Sequence, residues 1–147
     1  MPVFQKILVP VDGSHTSNKA LDYALRLAQD AQAHVRLLHC IDELSLLSGY
    51  EYSGELIQQA RQAGQKILQD GLAAAKKLGV AADTVLVDRV GQRLGHSVAD
   101  AVADWGGDLV VVGSHGRRGI GRVLLGSGSE QIVHTCPVPV LLVRGFD

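Results

Sequence analysis

The stretch best suited to chemistry is Gly113-Ser-His-Gly116, nine further residues, and then Gly126-Ser127-Gly128-Ser129. Six of the chain's seventeen glycines fall between Gly113 and Gly128. Glycine loses more backbone freedom on folding than any other residue, so such a concentration needs a reason. It lets backbone N–H groups approach something closely, and phosphate is the commonest such partner. A short polar helix is predicted over Glu130 to Thr135, directly after the second glycine group. A helix N-terminus presents unpaired N–H groups and a partial positive charge. Ser127 and Ser129 add hydroxyl donors, and together these groups would cradle a polyphosphate. A surface loop that ends in a serine N-cap would use the same residue types, and spacing alone does not separate the two readings.

A second chemically suggestive segment is Pro10-Val-Asp-Gly-Ser14, which holds a carboxylate among turn formers. A bare carboxylate repels a polyphosphate. Capping of the following helix is the alternative role for the same side chain. The common P-loop pattern is excluded, because no Gly-Lys pair occurs in the chain. The dinucleotide fingerprint should open the first strand–helix unit, where the sequence offers only Asp12-Gly-Ser-His-Thr-Ser17.

The elements that must position these segments follow from periodicity. Short apolar runs at Phe4–Val9, His34–Ile41, Thr84–Asp88, Leu109–Val112 and Val138–Val143 read as strands. Helical patterns lie between them: Ser14 to Gln32, with Leu21, Ala24, Leu25 and Ala28 on one stripe; Gly54 to Leu78; Gly95 to Trp105; and Glu130 to Thr135. The second helix places Leu56, Ala60, Ala63, Ile67, Ala74 and Leu78 near helical spacing, with Gly64 and Gly71 weakening it and Gly79 as its C-cap. Residues 42–52 interrupt the alternation as a loop. Strict alternation predicts an α/β fold, a parallel sheet covered by helices on both faces. In such sheets ligands sit beyond the carboxyl ends of the strands, where the strand order reverses. The sequence leaves the order open. If the first and fourth strands are neighbours, Asp12 and Gly113 face one crevice.

Composition bounds the function. One domain over residues 1–147 is expected, with 46% hydrophobic and 20% charged residues. Fourteen basic and fifteen acidic side chains leave a net charge of −1, which gives no global drive toward nucleic acid or anionic membrane. No apolar run spans a bilayer and no signal peptide is evident, so a cytoplasmic protein is expected. Cys40 and Cys136 fit neither a Cys-x-x-Cys pair nor a zinc pattern. The six histidines form no metal constellation, and His34 and His39 point to opposite faces of one strand. His15 is expected in an exposed first helical turn. Trp105 and Tyr23 read as core or interface residues.

Val112-Gly-Ser-His-Gly116, the spacing Gly-x2-Gly-x9-Gly-Ser, and Cys136-Pro-Val-Pro-Val-Leu-Leu-Val143 resemble the universal stress protein family. Lys6-Ile-Leu-Val-Pro-Val-Asp-Gly-Ser14 and Leu37-Leu-His-Cys-Ile-Asp42 do so too, so the resemblance covers nearly the whole chain. It implies a three-layer α/β/α fold of the adenine nucleotide alpha-hydrolase-like type, with strand order 3-2-1-4-5. It implies ATP as ligand with Mg²⁺ met indirectly by Asp12. Pro10, Val11 and Asp12 would line the ribose and phosphate side. Cys40, where the family often has Val, would contact adenine through its backbone. Val112, Gly113 and Gly116 would pass under the ribose and phosphates. Gly126, Ser127, Gly128 and Ser129 would hold the β- and γ-phosphates. Arg117 would pair with phosphate, whereas Arg118 and Arg122 read as solvated. The segment Val90-Gly-Gln-Arg-Leu-Gly-His96 lacks the proline of the family's corresponding loop, which leaves no ligand contact implied there.

The resemblance further implies a homodimer through the last strand, Val138 to Val143, whose apolar edge invites pairing. The expected role is a stress-linked nucleotide sensor that acts on a protein partner the sequence does not name. A slow ATPase, an AMP or cyclic-AMP binder, and a nucleotide-free interaction module are the alternatives. No general base or nucleophile stands out by spacing, so no catalytic residue is assigned.

Overall fold

A computed structural model describes residues 3–41, 54–88, 92–114 and 125–144. The chain alternates strand and helix: β1 (Lys6–Pro10), α1 (His15–Ala31), β2 (His34–Cys40), α2 (Gly54–Lys77), β3 (Ala82–Val87), α3 (Leu94–Trp105), β4 (Leu109–Gly113), α4 (Ser127–Thr135) and β5 (Val140–Val143). All neighbouring strands are parallel, in the order β3-β2-β1-β4-β5. The strand order reverses between β1 and β4, so their carboxyl ends flank the crevice that open parallel sheets use for ligands. The expected fold class and strand order both hold.

Period-2 alternation in the strands divides the core into two layers. Ile7, Val9, Val35, Leu37, Leu109 and Val111 face α1 and α2, where they meet Ala20, Leu21, Ala24, Leu25, Ala28 and Leu68. Leu8, Leu38, Val110 and Val112 face the other way, onto Val98 and Val102 of α3 and Ile132 of α4. Burial on both faces explains why the central strands read as continuous apolar runs.

Several element boundaries differ from the sequence reading. Helix α4 begins at Ser127, so Ser127, Gly128 and Ser129 form its first turn instead of preceding it. Strand β5 begins at Val140, because Pro137 and Pro139 withhold N–H groups from the ladder. Strand β3 begins at Ala82, two residues early.

The α2 stripe is also displaced. Its buried residues are Ile57, Gly64, Leu68, Gly71 and Ala75, while Leu56 is exposed. Gly64 and Gly71 are therefore contact positions. A Cβ on Gly64 would lie 2.6 Å from the His39 ring, and one on Gly71 would lie 2.9 Å from Leu37. These glycines set how closely α2 approaches β2, and reading them as weak points shifted the stripe by one residue.

The amino ends of the strands are locked by charge. Arg36 of β2 donates both arms of its guanidinium to Asp83 of β3, at 2.8 and 2.9 Å. The same guanidinium stacks 4.6 Å from the Trp105 ring, which also receives the edge of His34 at 5.8 Å. Asp108 accepts from the Gln5 and Lys6 N–H groups, joining β1 to the start of β4. Trp105 is thus a platform for cations at the end of the sheet away from the crevice.

Candidate functional site

The β1 end is a tightly bonded turn. Asp12 Oδ1 accepts from the Ser14 N–H at 2.9 Å, and the Asp12 N–H donates to Ser17 Oγ at 3.0 Å. Ser14 caps α1 by accepting from the Ser17 N–H at 3.2 Å. Gly13 takes φ +81°, a left-handed conformation that side chains rarely adopt, and sits against Ile67 of α2. The capping role considered for Asp12 therefore belongs to Ser14, and Asp12 shapes the turn before it. His15 is exposed in the first turn of α1.

The β4 end is bonded to α4. Ser129 is buried, and its hydroxyl donates to the Gly113 carbonyl at 2.6 Å. The Gly126 N–H donates to the Ser114 carbonyl at 2.8 Å, and the Ser114 N–H donates to Val143 of β5 at 2.8 Å. These bonds bring the two described halves of the glycine motif side by side. The N-cap of α4 is Gly126, with no side-chain cap bond, so its first-turn N–H groups are not closed off by a cap. Ser127 is exposed at that turn, with Gly128 partly buried behind it. Glu130 also lies in the first turn and stands 3.7 Å from His134 on the following turn.

The two ends meet. A Cβ on Gly113 would fall 2.5 Å from Thr16 Cγ2 and 3.1 Å from the Thr16 carbonyl oxygen. The first turn of α1 rests directly on the β4 end, so Gly113 is required for packing whatever it binds. The Asp12 turn and the glycine motif consequently flank one crevice at the β1–β4 reversal.

Cys40 ends β2 on the same side of the sheet. Val35 and Ile41 donate toward β3, whereas the Leu38 carbonyl accepts from Val11 on the β1 side. By the alternation of the ladder, the Cys40 N–H and C=O are turned toward β1, beyond Pro10 where that strand ends. Its side chain packs in the α3 layer beside the hydroxyl of Ser97. Burial pushes the thiol up to about 11, with the Ser97 hydrogen bond opposing that shift, so the group is neutral at physiological pH.

The structure thus brings Pro10, Val11, Asp12, Cys40, Val112, Gly113, Gly126, Ser127, Gly128 and Ser129 to the carboxyl end of the sheet. Gly116 and Arg117 lie outside the described residues, as do His115, Arg118 and Arg122. Three further contributors were not singled out from sequence: Thr16, Ser97 and His39. The His39 Nδ1 lies 2.7 Å from the Val11 carbonyl oxygen. Its only sequence signal is the position, one residue before Cys40 and so on the opposite face of β2. Among the described residues no group of three His, Cys, Asp or Glu assembles to hold a metal ion. None of the described helices is long and apolar enough to cross a membrane.

Residues 4–144 match the model of the universal stress protein family. The chain belongs to the universal stress protein family. Its relative "Universal stress protein YxiE" of Bacillus subtilis is 34% identical over 151 residues, covering 97% of this chain and all of that one. The solved structure of the hypothetical protein MJ0577 superposes with a TM-score of 0.86 at 26% identity, covering 99% of both chains. A universal stress protein family structure from Burkholderia pseudomallei gives 0.79 at 29% identity, covering 97% and 98%. Two more distant family structures share the fold. One is a universal stress protein in complex with cAMP, with TM-score 0.74 and 22% identity over 98% and 99% of the two chains. The other is an Arabidopsis thaliana member with AMP bound, with TM-score 0.68 and 19% identity over 95% and 91%.

Proposed function

We propose that this universal stress protein binds ATP in the crevice between β1 and β4 and serves as a nucleotide-dependent regulator in a stress response. The observation that carries this reading is the uncapped first turn of α4 held against the β4 end, facing the Asp12 turn. Anions favour such a helix end because of its free N–H groups and its dipole. Ser127 supplies the exposed hydroxyl there, and Gly126 and Gly128 let phosphate reach the backbone. The Ser129 hydroxyl already donates to Gly113, so its contribution to phosphate is its N–H. Gly116 and Arg117, outside the described residues, would be expected to add phosphate contacts.

Adenine fits beside Cys40, whose N–H and C=O offer a donor and an acceptor to the base edge. A small neutral side chain leaves room for the ring. Val112 would line the ribose from beneath, with Pro10 and Val11 on the other side. Mg²⁺ would come to this site with the nucleotide, and Asp12 would meet the phosphates through it. When bound, the ion would neutralise phosphate charge that Asp12 and Glu130 otherwise repel.

Among the described residues none is placed in the crevice as a nucleophile or general base. The solved relatives that carry AMP and cAMP make the monophosphates the natural competitors. Isothermal titration with Mg-ATP, AMP and cyclic AMP tests the reading. Saturable heat with ATP tightest is expected, and no saturation by any of them at millimolar concentration overturns it. We also propose a cytoplasmic homodimer formed through residues Val138 to Val143. The support is that β5 is an edge strand and that Leu141 is exposed on it. Sedimentation velocity tests it, with a monomer at all concentrations as the refuting result.

A further inference from the structure

The peptide unit between Val11 and Asp12 is held at both ends. Its N–H belongs to Asp12 and donates to Ser17 Oγ at 3.0 Å. Its carbonyl belongs to Val11 and lies 2.7 Å from Nδ1 of His39. The Val11 N–H, one unit earlier, donates to Leu38 at 2.8 Å. A carbonyl oxygen only accepts, so the proton in the His39 bond sits on Nδ1. That requirement fixes the tautomer of the neutral ring and is met equally by the imidazolium.

The ring has little freedom to leave this place. A Cβ on Gly64 would lie 2.6 Å from its Cδ2 and 3.2 Å from its Nε2, so α2 passes directly against it. A Cβ on Gly64 would also lie 3.0 Å from Leu86 of β3, which marks the other side of the same gap. Gly64 therefore serves as the slot that admits an imidazole behind the β1 turn. Rotation of one peptide plane swings everything attached to it. Here that is the Asp12 carboxylate, whose direction is set next by its bond to the Ser14 N–H.

We infer that His39 is a positioning residue for the nucleotide site: it fixes the Val11–Asp12 peptide plane and so aims Asp12 into the crevice. The inference rests on the nucleotide-binding reading of that crevice. His39 itself lies behind the turn, bonded to the Val11 carbonyl and packed against Gly64. Its effect on binding passes through one carbonyl. Loss of the donor leaves the Val11 carbonyl unsatisfied and the plane held only at its Asp12 N–H, and an approximately tenfold weaker Mg-ATP affinity is expected.

The test compares His39→Asn with His39→Leu. An asparagine amide nitrogen stands close to where Nδ1 stands and keeps the donor, whereas leucine fills the volume without one. The expected result is a dissociation constant for Mg-ATP within about threefold of wild type in H39N and raised about tenfold in H39L. Equal affinities in all three proteins overturn the inference. So does an equal loss in both variants, because the ring's bulk would then be what matters. If H39L does not fold, His39→Gln replaces it, since its amide reaches the Nε2 position and not Nδ1. A readout without ligand separates this inference from the one it rests on. The Asp12 and Gly13 amide ¹H–¹⁵N shifts should move in H39L and return in H39N, whether or not the wild type binds nucleotide. Unmoved shifts in H39L refute the positioning role even where ATP binds. Failure of the wild type to bind, with shifts that move as expected, refutes only the ligand.

Discussion

Gly113→Ala separates the two reasons a glycine can stand at the end of β4. The new Cβ would lie 2.5 Å from Thr16 Cγ2, and 3.1 and 3.2 Å from the Thr16 carbonyl oxygen and carbon. A threonine rotamer change removes the first contact. The other two are to backbone and require α1 to retreat by a few tenths of an ångström. Overpacking of this kind destabilises by about 1–3 kcal/mol. Against it, alanine recovers about 0.5–1 kcal/mol of backbone entropy relative to glycine in a strand. The clash wins, and a net loss of about 1–2 kcal/mol is expected. For a chain of this length, 1 kcal/mol corresponds to about 3 °C in Tm, so a fall of about 3–6 °C should appear in ligand-free thermal unfolding. Thr16→Ala relieves the side-chain part of the clash. A double-mutant cycle between the two should show a favourable coupling of about 0.5 kcal/mol or more. The ligand-free protein is the decisive sample. If Gly113→Ala leaves the ligand-free Tm unchanged or raises it while nucleotide affinity falls, helix packing is refuted as the reason for this glycine.

Three further outcomes follow from neighbouring contacts. Ser129→Ala strips the Gly113 carbonyl of its buried donor and should destabilise by about 1–3 kcal/mol in urea unfolding; the exposed Ser127→Ala should stay within about 0.5 kcal/mol and lose nucleotide affinity instead. With Cys136→Ser as background, Cys40 should alkylate at neutral pH about a hundredfold more slowly than an ordinary thiol, because burial moves it from 9.0 to about 11; a rate equal to that of the unfolded chain refutes the buried placement. The Arg36 hydrogen bond, aided by the charges of Arg36 and His34, holds the Asp83 carboxyl below its ordinary value against the opposing effect of burial. The stabilisation is present above the unfolded carboxylate range and lost as pH falls through the lowered value, so the urea midpoint of wild type should exceed that of Asp83→Asn at neutral pH and converge with it in acid; a gap that is constant down to pH 2 refutes the pairing.

The fold was legible because its signals are local and repeated. Alternating apolar runs and amphipathic helices required a parallel sheet, and Leu21, Ala24, Leu25 and Ala28 marked the buried face of α1 correctly. What sequence hid were roles set by the partner across a gap. Gly64 and Gly71 look like helix breakers until β2 is placed against them, and then they are its contact surface. Ser129 looks like a phosphate ligand until the β4 end stands beside it, and then its hydroxyl has a carbonyl to satisfy. His39 carries no spacing signal, since the carbonyl it meets lies in the turn after β1, 28 residues away. The motif located the site, whereas the division of labour inside it depends on tertiary neighbours.

That division bears on how the crevice can change without loss of the fold. The amino ends of β1, β2, β3 and β4 are tied by contacts of Arg36, Asp83, Trp105 and Asp108, all remote from the carboxyl ends that carry Asp12, Cys40 and Gly113. At the crevice the bonds are of another kind: single peptide and hydroxyl contacts between the first turns of α1 and α4 and the strand ends. Removal of one such contact shifts a turn by little and leaves the two apolar layers intact. Substitutions at Ser127 or Asp12 should therefore change ligand affinity more than stability, and substitutions at Arg36 or Asp83 should do the reverse. Gly113 and Ser129 are the exceptions, because they join the motif to α1 and α4 and so affect both.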